Sequence, residues 1–270
     1  MVLLPVCLIG LQFAYGLPAE PIGYEVQIDF DGQLPVSLFQ GAEQRLRVKM
    51  AISVRALPPD EDGGLRASNS LEGFEISLFD TEGGEFVPLP LTVESAREFF
   101  PDTTIVHTSE GRILKTDAPD LNLPIRLPGL HTRHFPDATF MLLQFPEGGV
   151  EEGKAWTYTR RFGDSDVKIE ATYRGSEDGG ERFDVKVAQS YETLEDEYGN
   201  PVSEESEAAY RVKTVVTGAG VVWFSGPKGV ISRSEVTAEA VSTVIPLEGG
   251  PEQNRRLRTT FKILKTEVRQ

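Results

Sequence analysis

Residues 209–244 alternate apolar and polar side chains more regularly than any other stretch of the chain. Val212, Val215, Val221 and Trp223 recur first, then Val230, Ser232, Val236, Ala238 and Ala240, with Arg, Lys, Thr, Ser and Glu between them. A period of two puts successive side chains on opposite faces of an extended backbone, so the pattern predicts strands with one buried face. Ser225-Gly226-Pro227-Lys228-Gly229 interrupts it with turn formers between β-branched runs, which predicts a hairpin. A shorter version at 103–115 turns at Glu110-Gly111.

The same period marks strands at 24–30, 46–54 and 74–78, separated by turns at Asp31-Gly32, 58–64 and 80–84. Residues 91–100 break the alternation and predict a short helix. Residues 117–146 hold Pro119, Pro124, Pro128, Pro136 and Pro146, which excludes a central strand there. This stretch reads as a Pro-rich connector, with a short helix over 138–145.

Beyond the connector the first pattern returns. Residues 48–55 resemble 167–174, 61–66 resemble 177–182, 78–83 resemble 194–199, and the Gly111 hairpin resembles the Gly229 hairpin, at offsets of 119, 116, 116 and 118 residues. The expectation is a mainly β, β-rich chain with minor α: two duplicated antiparallel β units, as curved sheets or a sandwich, joined by a short helical connector. The predicted organisation is a signal peptide at 1–16, a first β unit at 20–116, the connector at 117–146 and a second β unit at 147–270.

Composition narrows what such a protein does. The hydrophobic share of 39% supplies a core, and the net charge of −15 disfavours nucleic acid and anionic membrane surfaces. The lone cysteine, Cys7, cannot form an intrachain disulfide. Residues 1–16 are apolar and uncharged, too short to span a bilayer, and end in the small-x-small triplet Ala14-Tyr15-Gly16. That fits an exported protein, secreted or periplasmic; the competing reading is a buried first strand.

Candidate chemistry is sparse. The acidic runs Asp60-Glu61-Asp62, Glu177-Asp178 and Glu195-Asp196-Glu197 lack the spacing of a calcium loop and read as solvated turns. His131 and His134 are three apart but lie between Gly129 and Pro136, in the connector rather than on a helix. Ser225 and Ser232 sit in no nucleophile motif. Gly218-Ala219-Gly220 sits between strands, not before a helix, so no phosphate loop is expected. Trp156, Tyr173, Trp223 and Phe224 are candidates for lining an apolar ligand pocket; core anchoring is the alternative. No cofactor and no metal site is expected.

Residues 145–158, with Pro146, Gly153 and Trp156 in a "P…G-x-x-W" pattern, resemble a group of uncharacterised bacterial exported proteins, a domain of unknown function. The resemblance implies a periplasmic, secreted or surface location and no known activity. More distantly, β units with glycine-turn hairpins look like the half-barrels of periplasmic lipoprotein carriers, from which no functional residue carries over. The first-ranked expectation is an exported, non-catalytic protein of the cell envelope that binds an apolar ligand, a lipid, or another envelope protein. A structural or interaction module without a cavity ranks second, and an envelope hydrolase third.

Overall fold

The computed structural model describes residues 10–33, 43–98, 100–117, 142–162, 165–199 and 201–267. A two-residue strand β1 (Ala14–Tyr15) precedes a meander of β2 (Ile22–Gln33), β3 (Glu43–Leu57) and β4 (Leu65–Asp80). β5 (Glu85–Pro88) folds back on the end of β4, α1 (Val93–Arg97) follows, and the hairpin β6 (Thr103–His107) and β7 (Ile113–Asp117) adds to the start of β4. The second half runs β8 (Ala155–Phe162), β9 (Ser165–Glu177), β10 (Gly180–Glu195), β11 (Pro201–Val202), β12 (Tyr210–Phe224), β13 (Lys228–Gly229), β14 (Ile231–Pro246) and β15 (Gln253–Thr266).

Among the described residues these form one 13-stranded sheet, ordered β7-β6-β4-β3-β2-β15-β14-β12-β10-β9-β8, with β5 and β11 paired at its side. The long strands pair antiparallel throughout. The fold is therefore mainly β, as expected. It is a single curved sheet rather than a sandwich, because the last strand, β15, pairs with β2 over ten residue pairs and fuses the two halves edge to edge. The segments that resemble one another in sequence occupy corresponding places. Residues 48–55 and 167–174 lie in β3 and β9, the middle strands of two meanders, and the two acidic turns lead into β4 and β10.

One face of the sheet is apolar. Val26, Ile28 and Phe30 of β2, Leu46, Val48, Met50 and Ile52 of β3, and Leu257 and Ile263 of β15 are all buried on it. The cross-strand pairs Met50–Phe74, Val48–Ile76 and Leu46–Leu78 continue it across β4. The opposite face carries charge ladders such as Lys186–Glu170 at 2.8 Å and Arg174–Asp184 at 2.7 Å. Alternation along each strand sorts the two faces, and burial of the apolar one drives the fold.

The sheet curls most sharply at β12. Gly218 and Gly220 face inward, and β10 and β14 close over them: a Cβ on Gly218 would lie 2.7 Å from Val187 Cγ2 and 2.9 Å from Ala238 Cβ. The glycines expected between strands are thus in the middle of one, marking a crease where neighbouring strands approach closely. A register shift between Trp223 and Phe224 adds to the local twist. The faces differ from those expected, because β12 alternates without interruption and its even-numbered positions face inward. Val212, Val216, Val222 and Phe224 point inward, whereas Val215 is 52% exposed and Trp223 lies on the other face.

The expected helix over 91–100 is present as α1, capped by Thr92, whose hydroxyl accepts a hydrogen bond from Ser95 N at 3.2 Å. The helix expected over 138–145 is not helical at 142–145; Leu143 and Phe145 there are buried in non-helical chain. The rest of the connector, His131 and His134 included, lies outside the described residues, as do Cys7 and the start of the apolar N-terminal run.

Candidate ligand-binding face

One end of the curled sheet is closed by chain from both of its edges. Residues 10–16 thread across it. Leu11 exchanges two 2.8 Å backbone hydrogen bonds with Val150, Ala14 N donates to Pro227 O and Gly16 N to Gly229 O, both at 2.8 Å, and Tyr15 N donates to Ser109 O at 2.7 Å. The parallel pairing of β1 with β13 is part of this seam. Phe145 N donates to Glu110 O at 2.8 Å, tying residues 142–150 to the β6–β7 turn. Arg160 on β8, one edge of the sheet, donates through Nη2 to Gly111 O at 3.1 Å beside the other edge and to Leu143 O at 3.2 Å. Gly111 makes this approach feasible. Its φ is +89°, and a Cβ there would strike the Tyr15 ring and lie 2.6 Å from Leu143 O.

Inside this seam the aromatic rings fill the space. Phe13 meets Phe145, Tyr173 and Phe183 at centroid distances of 5.3–5.4 Å, and Phe224 meets Tyr15 at 5.2 Å and Phe145 at 5.1 Å. Edge-to-face and stacked contacts at these distances add to the burial itself. The buried hydroxyls are satisfied by backbone carbonyls: Tyr15 donates to Leu143 O at 2.9 Å, Tyr24 to Ile231 O at 3.0 Å and Tyr158 to Leu142 O at 2.6 Å. Burial raises all three phenols, Tyr158 up to about 12, so they remain protonated donors. His107 is 1% exposed and stacks edge-on with Tyr15; its Nδ1 is 2.8 Å from Thr108 O, while Nε2 is buried without a hydrogen-bond partner. Desolvation lowers its pKa below 6.5.

This packing places the residues singled out in the sequence. Phe224 and Tyr173 are in the aromatic cluster. Trp156 flanks it, edge-on to Phe183 at 6.1 Å, with its indole N–H donating to Gln144 O at 2.8 Å. Trp223 is apart from them, on the outer face beneath the Arg233 guanidinium at 4.3 Å. The three that come together form a filled plug, and the Tyr173 hydroxyl donates to Glu181 Oε2 at 2.5 Å. A cut after Gly16 would remove Phe13 and Tyr15, 3% and 2% exposed, from that plug.

Away from the plug the inner face is less completely covered. Phe74, Ile76 and Leu78 of β4, Phe261 of β15, Ala238 of β14 and Val187 and Tyr191 of β10 are only partly buried against the core. They form an apolar wall that spans strands of both halves of the sheet. Toward the end opposite the plug its character changes. Thr214 and Ser242 pair through their hydroxyls at 2.8 Å, and Glu195 and Arg255 form an ion pair at 3.3 Å. The periodicity of β10 and β15 was the signal that would have revealed this end. Gln189, Thr193, Glu195 and Arg255 put polar residues at inward positions, which hides that alternation in the sequence. Among the described residues no cluster of acidic, His or Cys side chains is arranged to hold a metal.

No family model matches the chain, and no curated protein matches it. Among solved structures it is similar to lipovitellin, a structure solved for its lipid–protein interactions, with a TM-score of 0.54 at 12% identity over 93% of this chain. The chain spans only 25% of the length of that protein. At this identity the likeness shows a shared fold, an extended curved β-sheet. A hot-dog-fold protein from Alicyclobacillus acidocaldarius aligns with a TM-score of 0.12 at 11% identity, over 94% of this chain and 81% of that one, too low to inform the fold.

Proposed function

We propose that this chain is an exported, non-catalytic protein of the cell envelope that binds an apolar ligand of the lipid class on its concave face. The observation that carries the reading is the shape and chemistry of one sheet. Its apolar face is curled inward and plugged by aromatics at one end, and partly uncovered along Phe74, Ile76, Val187, Ala238 and Phe261 at the other. Such a wall gains by covering apolar surface, at roughly 25 cal/mol per Å² removed from water. The fold shared with lipovitellin supports the same reading, and the resemblance of residues 145–158 to exported proteins supports the location. Among the described residues the buried histidine, His107, contacts a backbone carbonyl and an aromatic ring rather than an acid and a nucleophile, which fits a binding role.

The test is native mass spectrometry of the full chain purified from its own envelope fraction. The expected result is a lipid-sized adduct that disappears on denaturation and is regained from phosphatidylcholine vesicles. A chain that is bare as isolated and takes nothing from vesicles overturns the reading and leaves a structural module. Recovery from the cytoplasm alone overturns the location.

A further inference from the structure

The ion pair at the open end of the concave face has an unusual path. Glu195 ends β10 and Arg255 lies near the start of β15, with β12 and β14 between them in the sheet. Three strand spacings of about 4.8 Å separate the two backbones. The side chains therefore lie along the inner face and meet above the intervening strands. Arg255 is opposite Ser242 in register, and Glu195 opposite Tyr210. At 19% and 17% side-chain exposure this is the least exposed ion pair among the described residues. Burial raises the Glu195 pKa, with Arg255 opposing and Asp196 adding to the shift. The Thr214–Ser242 hydroxyl pair lies close by on the same face, and the apolar wall begins beyond it at Val187, Ala238 and Phe261.

This arrangement sets a condition on any amphiphile that lies on the wall with its head at the open end. Each of these charges is largely withdrawn from water and favours keeping a partner of opposite sign over being stranded. An anionic head, a carboxylate or a phosphatidylglycerol, can take Arg255 but then leaves the Glu195 carboxylate alone. A cationic head does the reverse. A head that carries both signs replaces the pair completely: its phosphate accepts from the Arg255 fork and its ammonium faces Glu195. Resting on the lipid-binding reading above, we propose that the ligand is a zwitterionic phospholipid, with its phosphate–ammonium head on Arg255 and Glu195 and its chains along the apolar wall.

The experiment uses the full chain, stripped of bound lipid and incubated with vesicles of equimolar dioleoylphosphatidylcholine and dioleoylphosphatidylglycerol. Bound lipid is then read by native mass spectrometry. The wild type is expected to retain the choline lipid about tenfold over the glycerol lipid, equivalent to about 1.4 kcal/mol. Glu195→Gln, which leaves Arg255 without its carboxylate, is expected to invert that ratio. Glu195→Asp, which keeps both charges, is expected to restore it. Uptake of both lipids in equal amounts by the wild type, or an unchanged ratio in a Glu195→Gln protein with a normal thermal melt, overturns the proposal and leaves lipid binding standing. No uptake of either lipid by the wild type overturns both readings. The wild-type ratio decides the question even if the Gln variant does not fold.

Discussion

The crease at β12 makes a prediction that runs against the usual rule for glycine. In a strand interior, replacing Gly by Ala ordinarily stabilises by about 0.5–1 kcal/mol, because glycine has more backbone freedom to lose on folding. At Gly220 an added Cβ would meet the carbonyl oxygen of Glu235, lie 2.5 Å from Val236 Cα and lie 2.8 Å from Val236 Cγ2. Two of these three atoms are backbone in β14, held by its ladder to β12 and β15, so they cannot rotate aside. Overpacking of this kind costs about 1–3 kcal/mol. Gly220→Ala is therefore expected to destabilise by about 2 kcal/mol, a fall in Tm of roughly 4–8 °C for a chain of this size. Gly73→Ala is the control. Its Cβ would meet Ala51 Cβ at 3.2 Å and Ala51 N at 3.8 Å, with nothing else in contact, and its stability is expected within about 0.5 kcal/mol of wild type. Urea unfolding followed by circular dichroism gives both values. A Gly220→Ala midpoint equal to or above that of the wild type would refute the claim that a glycine crease sets the curl.

Three further outcomes are expected. A chain beginning at Leu17 loses Phe13 and Tyr15 from the plug, each large buried aromatic being worth about 3–5 kcal/mol, and should lose its cooperative melt; a melt matching that of the full chain would show the N-terminal segment to be dispensable. His107 is held neutral in the folded state, so the unfolded chain binds more protons below pH 6.5 and stability falls as pH drops through that value; His107→Phe should flatten the slope of Tm against pH just below 6.5, and an unchanged slope would assign it to other groups. Trp223→Phe should leave lipid retention unchanged, since Trp223 faces away from the concave wall, and a loss of retention would place the ligand on the other face.

The sequence carried the strand content plainly because most strands bury one face and expose the other. Val26-Ile28-Phe30 and Leu46-Val48-Met50 alternate without interruption, and both are long strands in the structure. The turns were equally readable where glycine takes a left-handed conformation, as at Gly111 and Gly226. What alternation cannot convey is which strands neighbour one another. The pairing of β15 with β2, which makes one sheet out of two halves, joins residues more than 220 positions apart, and no local pattern records it. The candidate pocket residues are large aromatics on strands, and their size says nothing of which face they occupy. Trp223 and Phe224, adjacent in β12, fall on opposite sides by the ordinary alternation of a strand. The apolar N-terminal run shows the same ambiguity: Phe13 and Tyr15 satisfy the composition of a leader and the needs of a core equally well.

The seam between Arg160 and the β6–β7 turn bears on how the protein behaves at high concentration. An open sheet has two edges whose unpaired backbone groups invite strands from other molecules. Here the edge strands are poor templates. β7 has five residues and carries Lys115 and Asp117, β5 contains Pro88, and β11 is a two-residue strand that includes Pro201. β8, at the opposite margin, carries Arg160 and Arg161 side by side, and Arg160 is committed to carbonyls of its own chain. Loosening that grip, for instance by Arg160→Met, would free the β8 margin and the β6–β7 hairpin together. The result would be a self-associating sheet, with the contact that shapes the closed end also serving as protection against fibrous assembly.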